Sequence, residues 1–126
     1  MAEWVGIQIA EWIERGLEFP GVEEKVRVFL EPSDSACGAG VLGLAMIGRV
    51  SDPRAAVDRW IRMAGGPSSR KLETAAQFLG ISVALARMLE LNHRNGVPAA
   101  SIARGMRGGT LGMRIVSAVP LRAAAA

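Results

Sequence analysis

The chain has 126 residues, a formal net charge of +3 and 50% hydrophobic residues, proportions that fit one globular domain of ordinary composition. A single cysteine, Cys37, excludes an internal disulfide, and no apolar run reaches the roughly 20 residues that a helix needs to cross a bilayer. The first residues mix acids with apolar side chains, unlike a secretory signal, so we expect a cytoplasmic protein with one domain, 1–126, and a disordered end at 122–126.

Charge is distributed unevenly along the chain. Residues 1–34 carry eight acids against three bases, a net charge of −5, whereas residues 85–126 carry six arginines against Glu90 alone, a net charge of +5. Such a dipole can steer the basic part toward an anion, a nucleic acid or an acidic partner. The alternative, which we favour, is that the two ends neutralise each other within the fold or between subunits.

The first predicted element is a helix over Glu3–Gly16. Val5, Ile9, Trp12 and Ile13 follow the spacing of one apolar helix face. Gly16 and the following Pro-Gly pair are typical of a helix end.

The next segment, Lys25–Glu31, alternates apolar and polar residues with the period of a strand. A lone strand leaves its backbone groups unpaired, and the best partner in the sequence is Met113–Val119, which is rich in isoleucine and valine. A two-stranded ribbon is therefore one interpretation, and the final segment is alternatively a short helix.

A helix over Ala36–Gly48 is predicted next, after the acceptor side chains of a Pro-Ser-Asp-Ser start signal. It is rich in glycine and alanine, although each glycine inside a helix costs roughly 1 kcal/mol relative to alanine. We therefore expect a central, buried helix with close backbone contacts. Further helices are predicted after Ser51-Asp52-Pro53, where Pro53 suits a first helical position, and over Pro98–Met106.

The segment Leu72–Leu91 has the pattern of a helix-turn-helix. The small, turn and apolar positions that two crossed helices need are occupied by Ala76, Leu79, Gly80, Ile81 and Leu89. The positions that would face DNA are Ser82, Val83, Ala84 and Met88, and only the serine among them forms hydrogen bonds. We therefore favour a helical hairpin whose second helix is buried between its neighbours.

Candidate catalytic groups are few. Cys37 at a predicted helix start would have a stabilised thiolate, but the only histidine, His93, lies in a polar helix end, and the apolar residues after Cys37 favour an inert, buried thiol. One cysteine and one histidine do not form a metal-binding pattern, so we expect neither metal nor cofactor.

The sequence GAGVLG at 38–43 matches a dinucleotide-binding motif, but it lies in a predicted helix without a surrounding βαβ unit.

Three short motifs together resemble a family of small uncharacterised bacterial and phage proteins. They are Cys37-x-x-Gly40-x-Leu42, then Leu79-Gly80-Ile81, and Leu91-Asn92 before Ser101-Ile102-Ala103. The family has a Cys-Ala-Leu-Gly-Ala-Leu helix start and a closing Trp-Asn-Asp segment, from which this chain departs at Gly38, Ala39 and Leu91-Asn92-His93. The resemblance covers residues 36–107 and implies a compact helical domain without a defined activity.

The sequence thus predicts a mainly α fold, a bundle of about six short helices around the small-residue helix, with a two-stranded ribbon as an option. The favoured function is a non-enzymatic interaction or adaptor protein, phage-encoded or defence-related, that binds a protein partner or a second copy of itself through a charged surface. The alternative is a helix-turn-helix module that contacts DNA phosphates. In that case the candidate contacts are Arg87, Arg94, Arg104 and Arg107.

Overall fold

The computed structural model describes residues 2–32, 37–63 and 70–108, which form six helices and one small sheet. The helices are α1 (Ala2–Glu18), α2 (Val41–Val50), α3 (Pro53–Met63), α4 (Lys71–Leu79), α5 (Val83–Arg94) and α6 (Ala99–Gly108). The strands are β1 (Val22–Glu24), β2 (Leu30–Pro32) and β3 (Cys37–Ala39). The predicted mainly α fold with a small β element is confirmed.

Helix α2 is the centre of the molecule. Every residue from Val41 to Gly48 is buried, and the helix packs against α1, α3, α4 and α5. Its glycines permit this packing, because a Cβ on Gly48 would overlap the carbonyl oxygen of Trp12 in α1, and a Cβ on Gly16 of α1 would overlap that of Leu44. The central helix predicted from small residues is therefore present, but it begins at Val41 and not at Ala36.

The residues before α2 form the middle strand of the sheet. Strand β3 pairs in parallel with β1, where Val22 is opposite Cys37, and antiparallel with β2, where Leu30 is opposite Ala39. Cys37 consequently lies in a strand, and the prediction that it begins a helix is wrong. In β3 the backbone N–H and C=O groups form hydrogen bonds with the strands on both sides, whereas in a longer helix they would have bonded within the helix.

The predicted strand Lys25–Glu31 is also wrong for most of its length, since only Leu30 and Glu31 belong to a strand. The side chain of Val26 is 47% exposed, so the alternation does not bury a face. The segment instead turns between β1 and β2, and Arg27 has a φ of +71°. Strand β2 pairs with β3, whereas the expected partner 113–119 and the expected disordered end 122–126 lie outside the described residues.

Apart from the start of α2, the predicted helix ends agree with the structure within a few residues. The carboxylate of Asp52 accepts the backbone N–H groups of Arg54 (3.0 Å) and Ala55 (3.3 Å) at the start of α3, as the Ser-Asp-Pro signal predicts. One cluster of buried side chains extends from Ile9 in α1 to Met106 in α6, so the described helices share a single core.

Candidate functional site at the start of helix α5

Helices α4 and α5 form a sharply bent unit joined by three residues. The bend between them is 112°. Gly80 ends α4 with a φ of +69°, the left-handed conformation that glycine adopts without a Cβ penalty. Ser82 then caps α5, because its Oγ accepts the N–H of Leu85 at 3.1 Å. The turn is therefore built by two local signals that are visible in the sequence.

The inner surfaces of this unit are held by the core. The buried side chains of the two helices are Ala75, Ala76, Phe78, Leu79, Ala86, Leu89 and His93. Helix α2 packs against both α4 and α5. The inward positions assigned from the sequence to Ala76, Leu79 and Leu89 are thus confirmed, and they fix the orientation of α5.

The start of α5 is open to solvent. Ser82, Val83, Ala84 and Arg87 are exposed, Val83 at 37%, whereas Met88 is half-buried. The prediction that the second helix is buried between its neighbours holds for the face of Ala86 and Leu89 and is wrong for Val83 and Ala84. Its 12 residues have two faces, and only the inner one meets the neighbouring helices.

The four candidate arginines differ in their surroundings. Arg94 pairs with Glu90 one turn earlier on α5, and Arg107 pairs with Glu14 of α1. The hydrogen bond that Arg107 donates to Glu14, followed by the negative charge of Glu14, raises the pKa of Arg107. Arg87 and Arg104 are exposed, and the described ranges place no carboxylate oxygen within 4.0 Å of either of them.

The Glu14–Arg107 pair joins the acidic and the basic ends of the chain. It shows that part of the −5/+5 asymmetry is neutralised within the fold. Exposed pairs of this kind contribute little to stability. Their consequence here is that the basic surface of the C-terminal part is smaller than the sequence indicates.

Two further arginines lie next to the turn, and the sequence analysis did not identify them. The guanidinium of Arg49, at the end of α2, donates to the carbonyl oxygen of Phe78 and lies 5.3 Å from the ring of Trp12. Arg59 of α3 lies 5.1 Å from the ring of Phe78. Both add positive charge beside the C-terminal end of α4, where helix dipoles favour cations. No local pattern relates Arg49 or Arg59 to Phe78, because the contacts cross between helices.

His93 links three elements and is buried. Its Nε2 lies 2.6 Å from Oε2 of Glu24 in β1, and the same carboxylate oxygen accepts the N–H of Ala99 (2.9 Å), the first residue of α6. The imidazole contacts a carboxylate, as a general base often does, but both groups are also used to connect β1, α5 and α6. This arrangement gives the pair a clear structural role.

Cys37 is buried, with 8% of the residue exposed. Its thiol is 3.8 Å from the carbonyl oxygen of Gly38, and burial raises its pKa, which outweighs the lowering effect of a backbone hydrogen bond from Glu31. A raised pKa reduces the thiolate fraction at neutral pH, and the thiolate is the nucleophile.

We expect the Cys37 thiol to react with a disulfide reagent such as Ellman's reagent much more slowly in the native protein than in urea. The physical reasons are its burial and its raised pKa. The measurement is the absorbance time course at pH 8 with and without denaturant. Equal rates in the two conditions would contradict the interpretation of Cys37 as a buried, unreactive thiol and would support a role for it in catalysis.

The residues that the structure describes contain no group of three or more His, Cys, Asp or Glu side chains that could hold a metal ion. Among the same residues, no single helix has the length and hydropathy of a membrane span; α4 and α5 pass that test only as a pair, bent by 112°.

Comparisons with protein-family models, curated proteins and solved structures gave no match for this chain. The resemblance to small bacterial and phage proteins therefore stays a prediction.

Proposed function

We propose that the protein is a non-enzymatic binding module and that the open start of α5 contacts duplex DNA. The observation that supports this most directly is the α4–α5 unit itself, two helices bent by 112° at a three-residue turn that contains Gly80. A helix-turn-helix joins two helices at about 90–120° through such a turn and places the N-terminal residues of the second helix in the major groove. Those residues are exposed in this protein.

The side chains at this surface favour loose sequence recognition. Val83 and Ala84 offer apolar contact to a thymine methyl group, and Ser82 forms hydrogen bonds with several bases. Arg87 is the one exposed cation within the first two turns of α5. Most of the binding free energy would then come from phosphates, which carry no sequence information.

Positive charge around the turn supports the same proposal. Arg49 and Arg59 lie against Phe78, two residues before Gly80, and both residues are exposed. In a helix-turn-helix complex the first helix crosses the sugar-phosphate backbone. Arg49 and Arg59 are therefore proposed as phosphate contacts, together with Arg87 on the second helix.

The test is binding to a labelled duplex across a series of salt concentrations. We expect affinity to fall steeply with salt, and Arg87→Ala to weaken binding roughly tenfold and to lower the salt slope by about 1, the effect of losing one phosphate contact. Arg107→Ala is the matched control, because it removes the same charge from an arginine that is already paired with Glu14. Absence of binding at low salt, or equal losses for Arg87→Ala and Arg107→Ala, would contradict the proposal.

A second candidate is a protein partner, or a second copy of this chain, at the same surface. It is supported by the apolar character of the open face, where the 37% exposed Val83 adjoins Ala84 and the half-buried Met88. Interface cores are apolar and depleted of charge. The salt titration separates the candidates, because an apolar protein-docking face gives no affinity for duplex DNA at low salt.

A further inference from the structure

A cavity on the opposite end of α4 from the turn has the features of a small-ligand site. Its volume is about 350 Å³, and it is lined by Arg27, Val28, Phe29, Leu30, Glu31, Trp60 and Lys71. This volume lies at the lower end of the range for small-molecule pockets, about 300–1,000 Å³. The lining residues come from three places in the chain: the turn before β2 with the start of that strand, helix α3, and the first residue of α4.

Two of the residues that line this cavity are cations. Arg27 and Lys71 both line it, and the described parts of the chain place no carboxylate oxygen within 4.0 Å of either side chain. The one acid in the lining, Glu31, has its Oε2 3.9 Å from Nζ of Lys25. The lining therefore has an excess of positive charge, which favours an anionic group between Arg27 and Lys71.

The rest of the lining is apolar and includes two aromatic side chains. The rings of Phe29 and Trp60 are stacked, with centroids 5.4 Å apart and planes inclined by 23°. Trp60 is buried and Phe29 is half-buried. An aromatic pair of this kind presents a flat apolar surface on which a further ring can stack.

The turn that carries Arg27 packs closely against the residues at the end of β3 and the start of α2. A Cβ on Gly40 would overlap the carbonyl oxygen of Val28, and a Cβ on Gly43 that of Phe29. The N–H of Gly40 also donates to the oxygen of Phe29 at 3.2 Å. Arg27 keeps a φ of +71°, a left-handed conformation that is unfavourable for a non-glycine residue. These contacts position the wall of the cavity that carries Arg27.

We propose that this cavity binds a small organic anion that carries a flat ring, with the anionic group between Arg27 and Lys71 and the ring against Phe29. A phosphate or a carboxylate meets the first requirement. Glu31 lies at the same cavity and accepts a hydrogen bond from a hydroxyl or amino group of the ligand. A nucleoside monophosphate and an aromatic carboxylate are the two chemical sources of such a group.

The test measures the affinity of the full chain for four probes by calorimetry: adenosine 5′-monophosphate, benzoate, adenosine and inorganic phosphate. We expect at least one ring-bearing anion to bind with a dissociation constant at or below about 1 mM, and adenosine and phosphate alone to bind roughly tenfold more weakly or not at all. The two anions differ in their charged group, so the one that binds shows whether the ligand carries a phosphate or a carboxylate. Absence of binding by both ring-bearing anions would overturn the proposal, as would binding of adenosine or of phosphate alone that is as tight as that of the ring-bearing anion.

Variants locate the site. Lys71→Gln and Arg27→Asn each remove a lining cation, and asparagine tolerates the backbone conformation of position 27; each should weaken binding roughly tenfold. Arg104→Gln removes an equal charge from α6 and should leave affinity unchanged, as should Arg87→Ala, which separates this site from the proposed DNA surface. Unchanged affinity in both lining variants would overturn the proposal, and Lys71→Gln decides alone if Arg27→Asn does not fold.

Discussion

Replacement of Gly48 by alanine is expected to lower the free energy of unfolding by about 2 kcal/mol or more, although alanine is the better helix former. Helix propensity alone would raise stability by roughly 1 kcal/mol. The added Cβ, however, would overlap the backbone carbonyl oxygen of Trp12 in α1. A backbone atom inside a helix cannot rotate away as a side chain can, so α1 and α2 would have to separate. Overpacking of this kind costs typically 1–3 kcal/mol, and the loss of contact along two helices adds to it.

Urea denaturation followed by circular dichroism measures this effect. Ala55→Gly is the matched control, since Ala55 is exposed in α3 and the reverse exchange there should cost only the usual roughly 1 kcal/mol of helix propensity. A Gly48→Ala variant as stable as the unaltered protein would show that α1 and α2 are not in close backbone contact.

The close approach of α1 and α2 illustrates what the sequence could predict. Several glycines in one apolar helix indicate a backbone contact, because nothing else offsets their cost in propensity. The identity of the partner was not predictable. Gly16, which the sequence analysis used as a helix end, lies inside α1 and faces the carbonyl oxygen of Leu44. That role depends on the crossing geometry of two helices, which no local spacing encodes.

The small sheet shows where periodicity misleads. Lys25–Glu31 alternates like a strand, yet most of it is a turn, whereas the strand β3 lies in a segment predicted as helix. Strands of three residues are too short for a period to be recognised. Their pairing is decided by contacts such as Val22 with Cys37, which are distant in the sequence.

The sequence predicted the bend between the two helices of the candidate site, but it did not predict that the start of the second helix is exposed to solvent. Gly80 is a local signal, so the turn followed from the sequence, whereas Ser82 was assigned only to the DNA-facing positions and its role as the cap of α5 was not predicted. Whether Val83 is covered depends on which helices flank α5, and that is a property of the whole bundle. The same holds for Arg107, whose pairing with Glu14 joins residues 93 positions apart.

The other large effect is expected at Glu24, whose replacement by alanine should cost about 2–4 kcal/mol of unfolding free energy. Its Oε2 contacts Nε2 of His93 at 2.6 Å and accepts the N–H of Ala99 at 2.9 Å. Only 4% of the His93 side chain is exposed, so water cannot readily replace the carboxylate. A buried polar group left without a partner costs roughly 1–3 kcal/mol, and this substitution affects two of them. The N-terminus of α6 also loses a favourable negative charge.

Glu23→Ala is the control for this effect, because Glu23 is the exposed neighbour in β1 and its side chain makes no hydrogen bond or ion pair with the residues that the structure describes. It should change stability by no more than about 0.5 kcal/mol. Glu24→Gln keeps one acceptor oxygen and should lie between the two variants. Hydrogen exchange adds a local measurement, since the amide of Ala99 should lose protection in Glu24→Ala before the core amides of α2 do. Equal stabilities for Glu24→Ala and Glu23→Ala would mean that β1 does not anchor α5 and α6, and the orientation of α5 would then have to rest on its contacts with α2 and α4 alone.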